Sequence, residues 1–177
     1  MLSMQLTVTA LGNKSAHFIA EILAAISSCN CSVLELRLSR LAQSTASYLL
    51  VDGNWNHIAK LESILDSLQN RLEIHIQTIR PESSYKKNDG IPYSLETISL
   101  DRNNVIEDIT AFLFEREIVV EEVNASCYQA PYIQTPMFST KFILLIPPEV
   151  RLLALREEFL DFCDHLNIDA IIEPIKR

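Results

Sequence analysis

One pattern of residues is written twice along this chain of 177 residues, and that duplication limits the possible folds more than any other feature. In the first copy the β-rich run Gln5-Leu6-Thr7-Val8-Thr9-Ala10-Leu11 stops at the polar Gly12-Asn13-Lys14-Ser15. Phe18, Ile19, Ile22, Leu23 and Ile26 then recur at spacings of three and four, which predicts a helix starting near Ser15. Glu21, Ala25 and Ser28 fall on its opposite face, and Asn30 is the residue that tolerates the left-handed turn ending it. From Cys31 the period changes to two, so residues 31–41 read as a strand with Leu34, Leu36 and Leu38 on a greasy face. A short turn at 42–45 leads to a third strand over 46–51, and Asp52-Gly53-Asn54 breaks it and caps a second helix. That helix carries the stripe Trp55, Ile58, Leu61, Leu65 and Leu68, and Leu72, Ile74, Ile76 and Ile79 make a fourth strand. The order is β-α-β-β-α-β.

The same order returns after the polar segment PESSYKKNDGIP, residues 81–92. Residues 94–100 form a strand and Asp101-Arg102-Asn103-Asn104 a turn, followed by a helical stripe of Val105, Ile106, Ile109, Phe112 and Leu113 and a strand over 118–123. A shift of 87 lays Phe18 on Val105, Ile22 on Ile109 and Val33 on Val120. A shift of 94 lays Ile58 on Leu152, Leu61 on Leu155 and Leu65 on Phe159, the difference of seven falling in the longer second hairpin at 129–136. Tandem copies account for this most simply. With right-handed crossovers, the order implies an α+β fold of two tandem ferredoxin-like units, each an antiparallel four-stranded sheet with two helices on one face. The expected boundaries are 1–80 for the first domain, 81–92 for a linker and 93–177 for the second domain.

Charge separates the halves. Residues 1–80 hold six Lys/Arg and six Asp/Glu, leaving nine against seventeen for 81–177, so the formal charge of −8 comes entirely from the second half. A duplex-binding protein shows a basic face, and this balance argues against direct contact with nucleic acid. No window reaches the roughly 18 apolar residues of a membrane span. The opening Met1-Leu2-Ser3-Met4-Gln5 lacks the basic start of a secretory signal, and the four cysteines fit a reducing compartment. A cytoplasmic location follows as the expectation.

Catalytic signatures are missing: there is no G-x-S-x-G, no P-loop and no G-x-G-x-x-G, and 3 glycines in all cannot build a phosphate cradle. The chain is therefore expected not to be an enzyme, and to need no cofactor. Cys29-Asn30-Cys31 has no second spaced pair to complete a tetrahedral metal site, and a structural role with Cys31 facing the core is the simpler reading. Glu157, Glu158, Asp161 and Asp164 form an acidic run on the last helix, opposite Leu155, Phe159, Phe162 and Leu166: a solvated face or a contact surface for a basic partner. Tyr128, Tyr132, Ile133, Met137 and Phe138 crowd the second hairpin, where they either cover a sheet edge or mark an interaction surface.

The element order, the duplication and the polar turn after each first strand resemble ACT domains, small regulatory modules that sense amino acids. Thr9-Ala10-Leu11-Gly12, Ser27-Ser28-Cys29-Asn30-Cys31, Ser39-Arg40-Leu41 and Gly53-Asn54-Trp55-Asn56 are similar to the glycine cleavage system transcriptional repressors, tandem ACT proteins without a catalytic or helix-turn-helix domain. This resemblance implies two ACT-like units, indirect repression through contact with a LysR-type activator, and modulation by glycine or another small amino acid. Control of an enzyme by an amino-acid-sensing ACT module is the alternative. The turns are the candidate ligand sites, Gly12, Asn13, Lys14 and Ser15 in the first repeat and Asp101, Arg102, Asn103 and Asn104 in the second, because a helix N-terminus presents unpaired N–H groups to a carboxylate. The Asp-x-Pro-Gly of ligand-binding ACT domains is replaced here by Lys14, Ser15, Ala16 and His17. Uncovered sheet edges lead to the expectation of a homodimer.

Overall fold

The computed structural model describes residues 4–13, 17–81, 90–100, 103–132 and 134–175. The chain forms two compact units, Met1–Tyr85 and Lys86–Arg177. The first runs β1 (Met4–Asn13), α1 (His17–Ser28), β2 (Ser32–Leu41), β3 (Ser44–Gly53), α2 (Trp55–Leu72) and β4 (His75–Ile79). In the second the order is β5 (Ile91–Leu100), α3 (Val105–Phe114), β6 (Val119–Gln129), β7 (Pro136–Ile146), α4 (Leu152–His165) and β8 (Asp169–Pro174). Their antiparallel sheets have strand orders β2-β3-β1-β4 and β6-β7-β5-β8, the same order in each repeat. Even an irregularity is repeated: the ladder slips at Val33/Glu35 in β2 and at Val120/Glu122 in β6, positions 87 apart.

Each unit has its own core. Leu6, Val8, Leu49 and Val51 from the first sheet meet Ile22 and Ile26 of α1 and Ile58, Leu61 and Leu65 of α2, all at most 1% exposed. Leu95, Phe142 and Leu144 meet Ile109 and Leu113 of α3 and Phe159 of α4 in the same way. Burying each such side chain contributes about 1.5–3 kcal/mol against the entropy of ordering it.

All four helices end alike. Asn30, Glu73, Glu117 and Asn167 take φ of 52°, 52°, 55° and 53°, and the next residue donates its N–H to the carbonyl five back: Cys31 to Ile26, Ile74 to Gln69, Ile118 to Leu113 and Ile168 to Cys163. This reversal caps two orphan carbonyls at the ends of α1, α3 and α4 and one, that of Gln69, at the end of α2, and it turns an apolar residue onto the core, three of the four being buried. At the start of α2, Asn54 is extended and its Oδ1 accepts the His57 N–H at 2.8 Å. Asn54→Ala leaves that donor unpaired and is expected to lower stability by about 1 kcal/mol, read from the urea midpoint of the first unit.

Three sequence expectations are corrected, and one apolar face is found uncovered. Trp55 is 59% exposed, because it is the first helical residue and the inward stripe of α2 begins only at Ile58. Ala25 is buried rather than outward, being small enough for α1 to approach the core along that side. All ten residues of β2 are exposed, so its leucines are an apolar face that the helices do not cover. Gly12 and Asn13 continue β1, opposite Thr45 and Ser44, instead of starting the turn, and Gly12 has no positive φ. The expected helix start at Ser15 and most of the 81–92 linker lie outside the described residues.

Candidate functional site

The turns come first. Lys14, Ser15, Asp101 and Arg102 lie outside the described residues. Gly12 is buried, and a Cβ on it would stand 2.9 Å from Ile74 Cγ2 and 3.0 Å from the Phe18 ring, so the glycine serves close packing of β1 against α1 and the end of α2. Its neighbour Asn13 is exposed. In the second unit Asn103 and Asn104 are exposed, and Asn104, at φ 72°, holds the N-cap position of α3 without a side-chain cap bond. Its carbonyl accepts the Asp108 N–H at 2.8 Å. Glu107 and Asp108 occupy the first turn of α3, and these carboxylates already face the positive end of the helix dipole that a ligand carboxylate would need. The first turn of α1 carries no acid.

The cysteines are core material. Cys29 is 2% exposed within the first core, and Cys31 packs against that core with its thiol donating to the Cys29 carbonyl at 3.7 Å. Burial, then Cys29 and Asp52, push the Cys31 thiol up. In the second unit burial and Asp164 raise Cys163 to about 12, which keeps it a neutral thiol. In the long hairpin, Phe138 packs on the second core while Tyr132 is 97% exposed, and Ile133 lies outside the described residues.

A groove of about 720 Å³, which the sequence does not announce, lies in the second unit between the C-terminal half of α4 and the helix-facing side of the sheet. Its floor is one transverse row of small residues, Ala125 of β6 beside Thr140 of β7, Thr97 of β5 and Ala170 of β8. Leu160 and Asp164 of α4, with Ile168, form the wall. In the first unit the corresponding row is Leu38, Ser47, Ala10 and Ile76, with large side chains at both ends. Exchange of Leu and Ile for two alanines opens the space. The Thr97 and Thr140 hydroxyls, 2% and 3% exposed, meet at 2.6 Å. Two residues along β5 the buried Ser99 hydroxyl has no partner, as is true of Thr45 and Ser47 in the first unit.

Four groups with charge border the groove: Glu96, Asp164, Asp169 and Lys141. Glu96 accepts from Lys141 Nζ at 2.6 Å, and that bond holds the Glu96 carboxyl below the usual carboxylate range. Both are about half exposed, so the pair adds little to stability. Asp164 and Asp169 are left without a cation among the described residues. Aligning the repeats shows the two exchanges, Leu38 to Ala125 and Ile76 to Ala170, but that these alanines share one row with Thr97 and Thr140 on the helix side comes only from the strand register.

Residues 4–78 match the ACT domain family model. The second unit, β5 to β8, repeats the element and strand order of the unit that this model matches. The chain is similar to the glycine cleavage system transcriptional repressor of Escherichia coli strain K12, with 22% identity over 172 residues covering 96% of this chain and 90% of that protein. Among solved structures, one assigned to the glycine cleavage system transcriptional repressors has a TM-score of 0.77 at 19% identity, with 100% of both chains covered. Another, an unknown protein from Galdieria sulphuraria, has a TM-score of 0.78 at 17% identity over 99% of this chain and 100% of that one. At these identities the structures show the shared fold.

Proposed function

We propose that this protein is a non-catalytic, cytoplasmic regulator of transcription that works by contact with another protein, a LysR-type activator, and is modulated by glycine or another small amino acid. One observation carries the reading: likeness to a named transcriptional repressor runs through both units, over 96% of this chain. Two further features support it. No helix among the described residues is long and apolar enough to cross a membrane. The outer strand β2 presents Val33, Leu36 and Leu38 at 39–43% exposure beside an edge that no described strand pairs, which suits docking of a partner or of a second copy. Homodimer formation belongs to the same proposal.

In this mechanism the ligand biases an equilibrium between partner-bound and free regulator, and coupling of that kind is typically about 5–150-fold in affinity. The test is capture of the purified LysR-type activator of a glycine cleavage operon on the immobilised full chain, with and without millimolar glycine. Capture that glycine weakens by about 5-fold or more is the expected result. A chain that holds no activator under either condition ends the proposal and leaves control of an enzyme as the reading to pursue.

A further inference from the structure

We propose that the groove in the second unit is a binding site for a short-chain primary ammonium compound, a site separate from the turns at 12–15 and 101–104. This rests on the regulatory reading for its purpose alone, and its chemistry stands on the second unit. Three observations carry it.

The first is space. Ala125 and Ala170 stand where the first repeat has Leu38 and Ile76, and the groove of about 720 Å³ that results takes a small molecule with room for an aliphatic chain along Leu160. Polar capacity is the second. Two hydroxyls that share a single contact leave one O–H and most of their lone pairs unused, and Thr97 and Thr140 hold that residual capacity at 2% and 3% exposure. Buried groups of this kind gain from a ligand that completes their bonds.

The third observation is charge. Strand alternation turns the side chains of Glu96, Lys141 and Asp169 to the sheet face opposite the floor residues Thr97, Thr140 and Ala170, so the charged group lining the groove from the helix side is the Asp164 carboxylate. An ammonium group, with three donors and no lone pair, suits a carboxylate on the α4 wall together with hydroxyl oxygens on the floor, whereas a free anion meets only repulsion. The ammonium can come from a free alkylamine or from the α-amino group of an amino acid. Asp164 is the residue assigned to meet it, and Thr97 and Thr140 provide acceptors beside it.

The experiment is isothermal titration of the full chain with propylammonium chloride, with glycine, and with sodium acetate and sodium chloride as controls. Saturable binding of propylammonium at one site per chain, with none for acetate, is expected. Glycine binding at the same site identifies an amino acid as the source; displacement by amines alone identifies a free amine. Ala125→Leu with Ala170→Ile fills the floor with the first repeat's own residues and is expected to weaken binding at least 10-fold while the circular dichroism spectrum is kept. Asp164→Asn should weaken it similarly, and Glu157→Gln, an acid on the same helix away from the groove, should not. No saturable heat from propylammonium or glycine overturns the site, as does wild-type affinity in the filled variant or an equal loss with Glu157→Gln. None of these results bears on capture of the activator, so the site and the regulatory reading fail separately.

Discussion

Phe159→Ala is expected to remove about 3–5 kcal/mol from the second unit and leave the first unit's transition where it is. Phe159 is 0% exposed, and its ring meets Phe112 at 5.2 Å between centroids with an interplanar angle of 67°. Phe162, 6.1 Å away, completes an aromatic trio that joins α3 to α4. Truncation removes the edge-to-face contact and opens a cavity that neighbours fixed by the sheet cannot close. Every buried member of that core lies between Leu95 and Ile172, and every buried member of the other between Leu6 and Ile74. The single Trp55 reports the first unit by fluorescence, while circular dichroism reports both. In urea the variant should show an early dichroism phase with an unmoved Trp55 transition. Equal displacement of both signals would mean that the units unfold as one, and the expectation of separate domains at 1–80 and 93–177 would be withdrawn.

Gly12→Val is the second large effect, about 1–3 kcal/mol lost from the first unit. The first added carbon already stands 2.9 Å from Ile74 Cγ2 and 3.0–3.1 Å from two atoms of the Phe18 ring. Two further methyls must push α1 or the α2–β4 turn off the sheet. Asn13→Ala, at the exposed end of the same strand, should cost under about 0.5 kcal/mol. Urea midpoints followed at Trp55 give the comparison, and a Gly12→Val protein as stable as wild type would show that β1 and α1 are not in tight contact at this point.

Both residues show how far periodicity reaches. Phe159 sits on a stripe visible in the sequence, because spacings of three and four on one helix and two on a strand are local properties. Gly12 was legible as an interruption and misread as a turn, since a lone glycine looks the same whether it is needed for backbone angle or for want of a side chain. Helix ends divide similarly: Asn30 and Asn167 are residues that favour the left-handed stop, while Glu73 and Glu117 adopt it against their own preference. In those two the following isoleucine is driven into the core and carries the turn with it.

The candidate sites divide along the same line. The turns were readable as polar breaks before helices, and the acids in the first turn of α3 lie within a few residues of one of them, whereas the packing of Gly12 against Phe18 and Ile74 depends on which neighbours the fold brings near. Ala125, Thr140, Thr97 and Ala170 are scattered over 74 positions of chain, from 97 to 170, and nothing local marks them as one row.

By itself, the sequence determined the duplicated β-α-β-β-α-β order, the inward stripes and the concentration of negative charge in the second half, all of which follow from residue spacing within single elements. Only the tertiary structure decided that β2 stays uncovered, that Gly12 is a packing residue and that two alanines at the sheet's outer strands open a groove. Those depend on register between strands and on where a helix comes to rest, which are set by the whole core at once and by no one segment.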